Sequence, residues 1–411
     1  MKSMKTIPGP LLRVSEKTRQ YVDEVLDFGI HNTRSLDFCG RLEQDFAKRF
    51  GRKYGILHAN GTVTMQTALM AAGIGAGDEV IVPAFTVYMT AAAVLHANAI
   101  PIVVDVDPKT WTLDPVDLRR KITPKTKGVI PVSICGLSPD YEGILSIARE
   151  HNLVVIEDNA QCFLGKYRDK LVGSWGEFAS YSFQSSKHIT CGEGGILLCD
   201  DAEFALQARK ICSVGYSTLT AEPGNQTIPK EIRCRPDFAR HTDFGWNFRM
   251  SELSAAFAYG EFERLDELVQ MRQYVFQLFQ DVADQVDWIV PQFIPTDCQH
   301  AAWTYSFRLD RDDVGWADFR NTFLEKGGDG FYGAYLPLHH EPVFSRLFDQ
   351  VQAEPERYPH WAGQLPDYRE TSCPVWESLQ PRIVMLKTNY FDPESAQQQA
   401  KALQKTFEVF G

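Results

Sequence analysis

Short apolar runs alternate with amphipathic stretches along most of the chain, and the runs are rich in Val and Ile. YGILHAN, GDEVIVPAF, IPIVVDVD, TKGVIPVSI, LVVIED and FASYSF are nearly continuous in their apolar character, the mark of strands covered on both faces. Between them, RLEQDFAKRFG repeats Leu42, Phe46 and Phe50 along one helical face and stops at Gly51, which predicts a helix. The segments 63–73 and 90–98 predict two more. Strands alternating with helices predict an α/β domain built on a mostly parallel central sheet. Around DFGWNFRMSELSAAFAYG the pattern changes and predicts a long helical stretch. Beyond it, strands such as TYSFRL alternate with amphipathic helices such as SAQQQAKALQKTFEVF, which predicts a smaller α+β domain. The expected organisation is an N-terminal arm and helix over 1–35, a large domain over 36–260 and a small one over 261–411.

Composition narrows the class. The 411 residues are 44% apolar and 23% charged, ordinary values for a soluble globular protein. A formal net charge of −11 argues against a general nucleic-acid binder, because phosphate backbones attract basic surfaces. The opening MKSMKTIPGPLL lacks the apolar run of a signal peptide, and no stretch of about 18 apolar residues is present to span a bilayer. The expectation is a cytoplasmic protein with no membrane partner. The nine cysteines form no C-x-x-C pair, and several, such as Cys135 and Cys199, sit in apolar contexts. They read as buried reduced thiols rather than a disulfide or metal framework.

Three segments carry chemistry. VVIEDNAQC, residues 154–162, is an apolar strand ending in Glu157-Asp158, which sets a carboxylate at the edge where open α/β sheets bind ligands. The same carboxylate also suits a helix cap. In SYSFQSSKHITCGEGG, residues 180–195, a strand end delivers Ser182, Ser185 and Ser186, then Lys187, then a turn at Gly192, Gly194 and Gly195. A lone lysine is ordinarily a solvated surface charge. Held dry beside such a turn, its amine loses proton affinity and becomes nucleophilic. Finally, Gly61-Thr62 lies where a strand hands over to a helix, a place that suits a phosphate or a plain N-cap equally. Together an anion seat, a carboxylate and an activated lysine fit one cofactor, pyridoxal 5'-phosphate: its phosphate needs an anchor, its aldehyde an amine, and its ring nitrogen an acidic neighbour.

From about Leu36 to near the C-terminus the sequence resembles the DegT/StrS-type sugar aminotransferases, a branch of the fold-type-I, aspartate aminotransferase-like enzymes. The likeness rests on NGT, GAGDEVIVPAFT, IPIVVDVDP, VVIEDNAQ, the Ser-Phe-x-x-x-Lys segment with GEGG, and GWNFRMSELSAA. The resemblance implies a pyridoxal-phosphate-dependent aminotransferase in which Lys187 holds the cofactor as a Schiff base and shuttles the proton. It implies that Asp158 pairs with the ring nitrogen, that Gln161 bonds the ring hydroxyl, and that Gly61, Thr62 and Ser182 bind the phosphate. It further implies that Asn247 reaches the phosphate of a neighbouring subunit, which makes a homodimer with shared sites.

Two positions depart from the family pattern. Val87 stands where an aromatic residue commonly stacks on the cofactor ring, so either aliphatic packing or neighbouring Tyr88 covers that face. Ser133 replaces a common histidine and leaves substrate contacts there open. His188 follows the lysine directly; a related dehydratase branch has histidine in place of the lysine itself, so the intact Lys187 favours transamination and a structural His188. His339 matches a family histidine near the substrate opening and reads either as a substrate contact or as part of a polar surface loop. The implied reaction moves an amino group from glutamate or glutamine to a keto-cyclitol or keto-sugar by a ping-pong route. A nucleotide-linked keto-sugar is the main rival substrate; a sugar dehydratase and a catalytically silent regulator are the rivals by class.

Overall fold

The computed structural model describes residues 7–29, 36–223 and 230–411. In chain order the strands are β1 Tyr54–His58, β2 Glu79–Pro83, β3 Ile100–Val104, β4 Thr126–Val129, β5 Val154–Asp158, β6 Lys166–Tyr167 and β7 Lys170–Leu171. They continue as β8 Phe178–Ser182, β9 Gly195–Cys199, β10 Ile289–Pro291, β11 Cys298–Gln299, β12 Thr304–Leu309, β13 Tyr332–Gly333 and β14 Ile383–Lys387. Seven of them form the central sheet in the order β1-β9-β8-β5-β4-β2-β3. Every pairing from β8 across to β3 is parallel, while β9 runs antiparallel to both of its neighbours. β1 therefore points the same way as β8, and one edge of the sheet collects the carboxyl ends of β1, β2, β5 and β8 with the start of β9.

Alternation along the strands builds two cores. Val80, Val82, Ile156 and Leu197 face one layer of helices, including Gly61–Ala71 and Tyr88–His96. Ile81, Val104, Val129 and Val155 face the other, with Leu118, Ile144 and Ile147. Each such side chain contributes about 1.5–3 kcal/mol on full burial. A second sheet, β10-β12-β14-β13, is antiparallel throughout. Helices Leu265–Ala283 and Pro393–Phe410 cover it, with Phe276, Phe279 and Leu403 sharing one core with Phe307 of β12, giving the smaller C-terminal α+β domain.

Two details differ from the sequence expectation. The stretch around DFGWNFRM is not helical. Its backbone amides are taken by the end of helix Ala202–Cys212, with Trp246 N–H donating to Ile211 O (2.7 Å) and Phe248 N–H to Cys212 O (2.9 Å). Helix begins at Glu252, capped by the Ser251 hydroxyl, and divides at Arg264 into Glu252–Glu263 and Leu265–Ala283. Likewise TKGVIPVSI is strand for its first part alone. Pro131 has no N–H for the ladder, and the chain then turns through Ile134–Gly136, where Cys135 adopts φ 61°. In the N-terminal part, helix Glu16–Phe28 is formed and lies on Glu252–Glu263; residues 1–6 and 30–35 of the expected arm lie outside the described residues. No helix among the described residues is long and apolar enough to cross a membrane.

Candidate active site

The sheet edge brings the three chemical segments together. Helix Gly61–Ala71 starts there, capped by Asn60 Oδ1, which accepts from Val63 N–H at 3.1 Å. Apart from the Val63 amide that Asn60 takes, the amides just inside that start precede the first intrahelical bond and can meet an anion. Gly61 is required by contact: a Cβ there would lie 2.8 Å from Ser182 Cβ. Gly195 is equally constrained, since its Cβ would meet Gly61 N at 2.8 Å. The ends of β8 and β9 are thus pressed against the helix start, with Ser182 buried beside it. Thr64 Oγ1 fixes the turn by donating to Gly61 O at 2.6 Å. Thr62 is partly buried at the helix mouth.

At the end of β5 the two carboxylates diverge, as pleating demands. Glu157 accepts from the amides of Gly173, Trp175 and Gly176 and is spent on holding that loop. Asp158 points the other way and is 3% exposed. Its Oδ2 accepts from Thr90 Oγ1 at 2.9 Å and its Oδ1 from Ala160 N–H at 3.2 Å. Burial pushes its pKa above the usual carboxylate value; the Ala160 and Thr90 hydrogen bonds and the charge of Lys187 oppose that rise. Gln161 is also buried, and its Oε1 accepts from Cys135 N–H at 2.7 Å. The αL turn at Cys135 aims that N–H, and the Gln161 side chain also hydrogen-bonds Tyr335.

Lys187 sits in the loop between β8 and β9, partly buried, with Nζ 4.8 Å from the centroid of the Trp303 ring. Burial lowers its pKa from 10.5 to about 8, with Asp158 and Glu193 acting to raise it and Arg272 to lower it. His188 is engaged by the backbone: its Nε2 donates to Ala301 O at 2.8 Å, and burial holds the ring neutral.

The remaining sequence candidates fall in different places. Val87 caps the start of helix Tyr88–His96 and is partly buried, whereas the Tyr88 ring packs edge-on against Phe344 at 5.8 Å. Ser133 is buried and donates to Asn159 Oδ1 at 2.9 Å. His339 is not in a polar surface loop; it is 3% exposed, and its Nε2 lies 3.0 Å from Glu377 Oε1. Asn247 is exposed, on the segment that pairs with the end of β1 through Ala59 N–H to Phe248 O, 2.7 Å.

Sequence reading missed four contributors. Thr90 and Thr86 form a relay to Asp158, with their hydroxyls 2.8 Å apart; their four-residue separation across a helix start was a legible signal. Trp303 and Arg272 reach Lys187 from distant segments and carry no local signal at all.

A seven-stranded, mostly parallel sheet with a smaller α+β domain is the fold-type-I architecture of aspartate aminotransferase-like enzymes, and a buried carboxylate and a partly buried amine lie at one edge of that sheet. The model of the DegT/DnrJ/EryC1/StrS aminotransferase family matches residues 13–381, and the chain belongs to that family. A putative L-glutamine:3-amino-2,3-dideoxy-scyllo-inosose aminotransferase from Streptoalloteichus tenebrarius is 34% identical over 349 residues, 82% of this chain and 79% of the relative. GDP-perosamine synthase from Caulobacter vibrioides is 33% identical over 340 residues, covering 82% and 86% respectively. The crystal structure of an aminotransferase from Psychrobacter cryohalolentis superposes with a TM-score of 0.83 at 26% identity, covering 98% of this chain and 99% of that one.

Proposed function

We propose that this enzyme transfers an amino group from glutamine or glutamate to a keto group on a cyclitol or sugar ring, with pyridoxal phosphate held between Asp158 and Lys187. The observation that carries the reading is the pairing at one sheet edge of a buried carboxylate with an amine whose pKa is lowered to about 8. When bound, the cofactor supplies an electron-withdrawing ring that acidifies the carbon bearing the amino group.

The residues fit that group. Among the described residues, the hydrogen bonds to the Asp158 carboxylate come from neutral donors, Thr90 and Ala160 N–H, so a protonated ring nitrogen would bring the positive charge that its burial calls for. The Gln161 amide would donate to the ring hydroxyl, and Gly61, Thr62 and Ser182 would hold the phosphate at the helix start. With Tyr88 engaged by Phe344, Val87 would cover the ring face with aliphatic packing. Exposed Asn247 reaches the phosphate seat of a second copy, which gives a homodimer with shared sites. His339, tied to Glu377, shapes the wall near the substrate opening.

Lys187 does the proton work. A lowered pKa gives its amine a substantial neutral fraction near neutral pH, so it can take a proton from the substrate carbon and return it. The donor leaves as a keto acid before the acceptor enters, which makes the kinetics ping-pong. The glutamine-dependent inosose aminotransferase among the relatives supports a keto-cyclitol acceptor. A nucleotide-linked keto-sugar is the second reading, supported by the perosamine synthase.

Purified protein supplied with pyridoxal phosphate is expected to absorb in the visible, and borohydride to fix the cofactor on Lys187. A panel of keto-cyclitols and nucleotide keto-sugars, each with glutamine or glutamate, then reads keto-acid release. Lys187→Ala is expected to lose turnover while keeping part of its cofactor affinity through the phosphate seat. Protein that stays colourless with added cofactor, or K187A with normal turnover, overturns the reading.

A further inference from the structure

Arg272, on helix Leu265–Ala283, is 6% exposed, and its four acceptors are all neutral. Nη2 donates to Lys187 O at 2.9 Å and Ser186 O at 3.2 Å; Nη1 donates to Trp303 O and Thr388 Oγ1, each at 3.2 Å. Among the described residues no carboxylate lies within ion-pair distance of it, unlike buried Arg209 with Glu43 and Arg264 with Glu261. A buried cation without a counter-ion is costly, which makes its placement behind the reactive loop informative.

We propose that Arg272 is a positioning residue for the Lys187 amine: it clamps the lysine loop through two carbonyls and sets an uncompensated positive charge behind the reacting nitrogen. The clamp is reinforced from the other side, where Trp303 Nε1 donates to the same Ser186 carbonyl at 3.0 Å. The charged groups that face the amine are Asp158, Glu193 and Arg272; the two carboxylates favour its protonated form and Arg272 opposes it. Burial pushes Arg272 itself down to about 9, so it stays charged at neutral pH. The lysine is thereby kept where it is needed, and kept ready to lose its proton.

The inference rests on Lys187 being the cofactor lysine, and two readouts separate the ideas. Cofactor fixed on Lys187 by borohydride reports the lysine's role. For Arg272, cofactor-free protein is labelled with limiting acetic anhydride from neutral to alkaline pH, and acetylation of Lys187 is followed by peptide mass spectrometry. Arg272→Gln keeps amide donors but removes the charge, so its labelling midpoint is expected to rise above that of the wild type, while burial, the largest cause of the lowering, still holds it below the ordinary lysine value of 10.5. Arg272→Lys, which retains a charge, is expected to keep a midpoint near that of the wild type and also covers the case in which R272Q does not fold. An unmoved midpoint in R272Q, or a raised one in R272K, overturns the proposal.

Discussion

The Lys187 amine lies over the face of the Trp303 indole, 4.8 Å from its centroid. The ring both excludes water and attracts the ammonium form through its quadrupole, an effect of about 0.5–2 kcal/mol. Trp303 also anchors the loop through Ser186 O. Trp303→Phe keeps a π face and loses the hydrogen bond, so a fall in kcat of roughly tenfold is expected. Trp303→Leu loses both and is expected to fall further. Equal kcat values for the two variants contradict a role for the ring face.

Thr90 holds the ionised form of Asp158. Its hydroxyl lowers the carboxyl pKa against the upward push of burial. In Thr90→Val that pKa rises, so protonation sets in at higher pH and the acidic limb of the pH-rate profile moves up. Asp158→Asn removes the charge at every pH and is expected to lower turnover by about a hundredfold or more without a pH remedy. A T90V profile that overlies the wild type removes Thr90 from the mechanism.

Gly61→Ala tests the anion seat. Its Cβ would press within 2.8 Å of Ser182 Cβ, so the helix start must withdraw from β8. Cofactor affinity, measured by spectrophotometric titration, is expected to drop, together with a lower melting temperature from the displaced helix start. Wild-type affinity in this variant means the phosphate binds elsewhere.

His339 is buried, with Nε2 against Glu377. Burial holds its pKa below 6.5, so it is neutral at pH 7. His339→Ala removes a buried ring and its contact with Glu377, which keeps the Cys373 N–H as a partner, and is expected to lower the melting temperature. A raised KM for the keto substrate at unchanged stability assigns the ring to direct substrate contact.

Asn247 is exposed on a single chain. If it completes a neighbour's site, mixed dimers of Asn247→Ala and Lys187→Ala regain activity, because one of the two shared sites is then intact. Co-expressed variants that stay as inactive as each alone argue for sites built within one chain.

Local pattern alone determined the alternation of covered strands and helices and the mostly parallel sheet, and it set Asp158 at a strand end and Lys187 in the loop after another strand, because β periodicity and strand-end motifs are short-range properties. It did not reveal that the GWNFRM stretch is not helical, since the partners of its amides belong to helix Ala202–Cys212. It left His339 open between two roles, and burial against Glu377 was decided by a segment 38 residues away. The tertiary structure alone brought Thr90 to Asp158, and Trp303 and Arg272 to Lys187. Those contacts span 68 residues or more, and nothing in the local sequence encodes a neighbour that arrives only when sheet and domain close together.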